Sequence, residues 1–149
     1  MNLIIKILLA VWQLPQLFVG LGVLIYLKWK GRNFIRDIIE SWGIERLPGH
    51  SYPESLVYRV GFRIGVSFGP IVFLDRLAPY ASVRHELGHS GQSLILGPLY
   101  LIVVGIPSFI MSLMSSFSYR HSSGKFYAGY YKRFPENWAD WIGGVKRDA

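Results

Sequence analysis

Apolar residues along this chain gather into two long blocks, and between them apolar and polar positions trade places at short intervals. The first block, residues 3–27 (LIIKILLAVWQLPQLFVGLGVLIYL), is broken by polar side chains only at Lys6, Gln13 and Gln16. At about 1.5 Å per residue it is long enough for the roughly 30 Å hydrocarbon layer, which predicts a transmembrane anchor. A secretory leader would carry a shorter apolar stretch, a more basic start and a small-residue cleavage site. Here the block runs instead into bulky YLKWKGR, with Tyr26 and Trp29 placed as interfacial aromatics. Lys28, Lys30, Arg32 and Arg36 follow, and such basic flanks put that end in the cytoplasm and the N-terminus outside.

Residues 33–50 read as a short amphipathic helix with Phe34, Ile35, Ile38, Ile39 and Trp42 on one side, closed by Gly43. LPGHSYPES is then a loop, and His50 a solvated loop histidine. From Val57 to Ile64 a period of two predicts strands, and Gly61, Gly65, Gly69 and Pro70 punctuate them into a twisted hairpin or a pair of short strands. Such strands either cover the core or offer an edge to an extended peptide. Ser82 reads as the N-cap of a helix beginning near residue 83. The second apolar block, 94–118, could span a bilayer by length, but Gly97-Pro98 and Gly105-Ile106-Pro107 offer breaks. In FPENWADWIGGV, Pro135 suits the first turn of a helix and Gly143-Gly144 its end.

These elements predict an α+β membrane protein forming one domain over residues 1–149. In order it has an N-terminal transmembrane helix, a short β-hairpin, a motif-bearing helix, an apolar re-entrant or helical hairpin, and a C-terminal motif helix. An apolar fraction of 51% in 149 residues agrees with membrane segments. The net charge of +7 would suit nucleic acid or anionic lipid. Lysines and arginines flank the apolar blocks and form no dense patch, so the bilayer is the expected partner and nucleic acid is not. With no cysteine, a metal must be held by histidines and carboxylates.

RHELGHSGQSL, residues 84–94, supplies such groups. His85 and His89 are one helical turn apart on one face, so both imidazoles can reach a single metal at about 2.0–2.1 Å. Glu86 then projects beside it toward a metal-bound water. The plain alternative is an exposed helix with two uninvolved histidines. ENWAD adds Glu136 and Asp140, again four apart, in a chain with nine acidic residues. One of them can ligate zinc while the other holds a ligand histidine through its second ring nitrogen. Three protein ligands and one open position are what a catalytic zinc site requires.

HELGH followed downstream by ENWAD resembles the HExxH plus ExxxD pair of the gluzincin metallopeptidases, and ENWAD is similar to the E-N-x-A-D form of the neprilysin-like group. The resemblance covers the motif helices and the strands before them. It implies zinc bound by His85, His89 and Glu136, with Glu86 as general base and Asp140 orienting His85. The long apolar interval between the motifs is similar to that of the membrane-embedded members.

Topology bears on that implication. A single crossing over 94–118 would put ENWAD on the far side of the membrane from HELGH, whereas a re-entrant hairpin keeps both at the cytoplasmic face. Arg120, Lys125, Lys132, Arg133, Lys146 and Arg147 follow the block and favour that side. The expected activity is a zinc peptidase of the cell inner membrane, its site near the cytoplasmic face, acting on peptides or membrane proteins. The rivals are a non-catalytic membrane scaffold and a zinc hydrolase with a non-peptide substrate. His121, Tyr127, Tyr130 and Tyr131 are candidate oxyanion donors, equally readable as interfacial residues.

Overall fold

The computed structural model describes residues 3–31, 35–39, 55–60, 65–121 and 129–147. The first apolar block forms two helices, α1 (Leu3–Trp12) and α2 (Leu14–Trp29), bent by 83° where one continuous anchor was expected. Pro15 accounts for the break. It has no N–H to donate, its ring collides with the carbonyl four residues back, and it fits only the first turn of the restarted helix. Among the described residues no single helix is long and apolar enough to cross a membrane, while the bent pair meets that test by length and composition together.

Four strands follow: β1 (Ile35–Ile39), β2 (Ser55–Val60), β3 (Gly65–Phe68) and β4 (Ile71–Asp75). They form one sheet in the order β1-β2-β4-β3. The expected helix over 33–50 is thus corrected at 35–39, where the chain pairs antiparallel with Ser55–Arg59. β-Branched isoleucines favour that extended state over a helix turn. The remainder of that expected helix, and His50, lie outside the described residues. β3 and β4 make the expected hairpin, but β2 runs parallel to β4 and so belongs to a larger sheet.

The alternation in β2 and β4 gives the sheet two buried faces. Leu56, Tyr58, Val60, Ile71 and Phe73 meet Leu17, Val23 and Leu24 of α2. On the reverse, Val57, Val72 and Leu74 meet Val83 and Leu87 of α3 (Tyr80–Leu96). A fully buried Phe or Leu contributes roughly 1.5–3 kcal/mol, so these two faces fix both helices. α3 begins three residues before the expected start, with Pro79 and not Ser82 at its N-cap.

The second apolar block is divided once. Gly97, at φ 52°, ends α3 in a conformation that disfavours any side chain. A 3-10 turn (Gly97–Leu99) and a π-helical turn (Leu101–Gly105) then lead without a second break into α4 (Ile106–His121), whose second residue is Pro107. After a 3-10 turn at Tyr130–Lys132, α5 (Glu136–Gly143) ends at Gly144 in the left-handed region, as the Gly-Gly pair predicted. Pro135 is the N-cap.

A polar cluster ties α2 to the far end of α3. Gln16 Nε2 donates to Ser93 Oγ at 2.9 Å and to the Gly97 carbonyl at 2.7 Å. Ser93 Oγ donates to Gln13 Oε1 at 2.8 Å, and Trp12 Nε1 to the Leu94 carbonyl at 2.9 Å. The glutamines that interrupt the first apolar block are therefore buried joints between helices.

Candidate metal centre

α3 has almost no outer surface along its middle, because every residue from His85 to Ser93 is buried. Val83 and Leu87 take the sheet side, which turns His85 and His89 toward α5. Close approach of those two helices depends on small residues. A Cβ at Gly88 would collide with the Ala139 carbonyl, and one at Gly143 with the Arg84 carbonyl. Backbone therefore rests on backbone, and HELGH and ENWAD, far apart in sequence, share one site.

His85 Nε2 lies 3.0 Å and His89 Nε2 3.4 Å from Glu136 Oε2. Two ligands about 2.0–2.1 Å from a zinc ion at the tetrahedral angle stand ~3.3 Å apart, so the spacing fits that ion. The three side chains form a buried group able to hold a metal. Burial also leaves Glu136 Oε1 and Glu86 Oε2 with no hydrogen-bond partner among the described residues. Orphaned carboxylate oxygens are costly in a closed interior, and a cation or its water would satisfy them.

Both histidines are held from behind. His85 Nδ1 lies 2.7 Å from Asp140 Oδ1, and His89 Nδ1 lies 2.7 Å from Gln92 Oε1. Each bond fixes the tautomer that presents Nε2 to the shared space. Gln92 is anchored in turn by donating to the Pro135 carbonyl at 2.9 Å. Arg147 donates to Asp140 Oδ2 at 2.6 Å and to Oδ1 at 3.0 Å. Its guanidinium also stands 3.3 Å over the Tyr131 ring, which meets the His85 ring edge-on at 5.3 Å.

The charges follow this geometry. Burial alone would depress the His85 imidazolium, but Asp140 and Glu136 outweigh it and raise the pKa to about 9. Burial pushes Glu86 up, against the pull of His89 and His85. Glu136 feels burial too, yet the neighbouring His85 and His89 hold its carboxyl well below the usual range. Ser108 adds to that depression. Against burial, His85 and Arg147 keep Asp140 low.

All five residues singled out in the sequence, His85, Glu86, His89, Glu136 and Asp140, are thus brought together. Gln92 and Arg147 were not foreseen. Gln92 was findable, three residues after His89 on the same helix face, whereas Arg147 lies beyond the end of α5, where no helical spacing marks it. Of the four candidate oxyanion donors, Tyr131 is engaged with His85 and Arg147, and Tyr130 lines two cavities that open at Glu86. The side chain of His121, and Tyr127, lie outside the described residues. No family model, curated protein or solved structure matches the chain. The gluzincin resemblance therefore rests on the two motifs.

Proposed function

We propose that this chain is a membrane-bound zinc peptidase. The observation that carries the reading is the meeting of His85, His89 and Glu136, three buried donors within 4.8 Å of one another with Glu86 beside them. Zinc, when bound by these residues, supplies a Lewis acid that polarises a carbonyl and lowers the pKa of a water toward about 7. The Glu86 carboxylate takes the proton of the attacking water and passes it to the departing amine. Asp140 and Gln92 hold the two imidazoles in place. Tyr130, at the junction of the cavities, donates to the developing oxyanion.

Side chains that face outward support the membrane part of the reading. Leu3, Ile4, Leu8 and Val11 of α1 and Phe109, Leu113 and Phe117 of α4 are all more than half exposed, a larger apolar surface than water favours. Lys28 and Lys30 mark the cytoplasmic end of α2, and the inner membrane is the proposed location. The chain has no cysteine, so a single cysteine in place of the exposed Leu77, which the reading puts on the cytoplasmic side, reports the side directly. Labelling of that thiol by an impermeant reagent in intact cells would reverse the proposed orientation.

Zinc content tests the chemistry. Detergent-purified protein should hold about one zinc per chain, as one closed ligand set implies. His89→Ala and Glu136→Ala should lose it, and Glu86→Gln should keep zinc while losing peptide hydrolysis. A native chain that takes up no zinc on reconstitution, or a Glu86→Gln variant that still cleaves, would overturn the reading.

A further inference from the structure

The two cavities that meet at Glu86 differ in character. One, of about 540 Å3, is walled by Val66, Phe68, Leu101, Ile106 and Phe109. Its rim belongs to the apolar exterior, since Ile106 is 55% and Phe109 64% exposed. The other, of about 650 Å3, lies on the far side of Glu86 and includes Asp75, Ser82 and Ser116. Among the described residues, Asp75 is its only charged group apart from His85 and Glu86, and no lysine or arginine lines it. Gly65, His85, Glu86, Ser112 and Tyr130 line both cavities, so the metal group stands at the boundary between an apolar half-cleft and one of mixed lining, where Leu74, Leu77 and Pro79 accompany the carboxylate of Asp75.

An extended chain has something to follow along this cleft. The Tyr100 hydroxyl donates to the Ser67 carbonyl at 3.1 Å, so that carbonyl points away from β4. Alternation in an antiparallel pair turns Gly65 to the same side, next to Glu86.

We propose that the substrate is a peptide segment that changes character at the scissile bond. A bulky apolar side chain occupies the cavity against α4, and a basic residue lies on the other side, toward Asp75. Segments of this kind occur where an apolar membrane stretch gives way to the basic residues that flank it on the cytoplasmic side. The proposal rests on the zinc peptidase reading and adds to it the class of substrate.

Phosphinic peptides ligate zinc and extend to both sides of the scissile position, so they probe the cleft without turnover. With the zinc-loaded full chain in detergent, a series carrying Phe, Leu, Ala or Asp on one side and Lys or Glu on the other, in both orders, is titrated by competition. Phe and Leu should bind on the order of 10- to 100-fold tighter than Ala, from the apolar area they bury. Lys should exceed Glu on the opposite side by about threefold, since Asp75 is partly exposed. A Cβ at Gly105 meets nothing nearer than the Leu101 side chain at 3.5 Å, so a side chain can start there without a backbone clash, and Gly105→Leu adds bulk to the lining of the apolar half. That variant should lose the Phe preference while its zinc content stays native. Asp75→Asn, which keeps the acceptor for the Leu77 amide, should lose only the Lys preference. Full zinc with equal binding across the series would overturn this proposal alone. A chain that takes up no zinc would overturn the peptidase reading and this proposal with it.

Discussion

α3 carries two buried polar clusters, and they do different work. Near its C-terminal end, Ser93 joins Gln13 and Gln16 in a set of neutral amides and hydroxyls whose bonds run from one helix to the next. Near its middle, His85 and His89 join Glu136 and Asp140, charged or chargeable groups whose bonds converge on one point. The neutral cluster is surrounded by protein and knits α2 to α3. The ionisable cluster opens onto two cavities and, among the described residues, leaves two carboxylate oxygens without partners where the neutral cluster leaves one amide oxygen, that of Gln16. Burial of polar atoms therefore does not by itself mark a site. Convergence of ligating atoms on one shared point does.

Substitutions break or sharpen that contrast, beginning with the largest effect. Glu86→Gln should reduce peptide turnover by about 10²- to 10⁴-fold at unchanged zinc content, read by kinetics beside metal analysis. A change of less than tenfold would remove Glu86 from the chemistry. Arg147→Ala releases Asp140 and should weaken zinc binding by about 10- to 100-fold in a chelator competition, with Arg147→Lys restoring part of it. Equal affinity in all three proteins would show that Asp140 needs no buttress. Gly88→Ala pushes α5 from α3 and should cost about 1–3 kcal/mol in denaturant titration, with weaker zinc retention. Native stability there would deny the backbone contact. Gln16→Leu, in the neutral cluster, should cost about 1 kcal/mol through the groups it leaves unpaired, with zinc unaffected. Loss of metal from that variant would mean that the clusters are coupled through α3.

The same contrast governs how much could be read in advance. HELGH and ENWAD were legible because helical spacing puts chemically matched groups on one face, and the two helices have only to meet. What makes them meet is less visible. Gly88, Ala139 and Gly143 look unremarkable until the helices are packed. In the first apolar block the pattern over 3–27 records only an apolar segment, whereas Pro15 decides where the chain bends. The strand at Ile35–Ile39 was missed because isoleucines three and four apart also fit a helical stripe, and only its partner in β2 selects the extended state.

Contact between Gly88 and Ala139 bears on the timing of synthesis. α5 follows α3 in the chain, so a nascent polypeptide that stops short of residue 136 already carries both histidines and Glu86 but lacks the third ligand. It also lacks the helix that orients His85 from behind. Until α5 has been made and has docked, there is no closed ligand set to hold an ion. The capacity to hold an ion is thus withheld from incomplete chains and conferred by the same packing step that brings α5 onto α3.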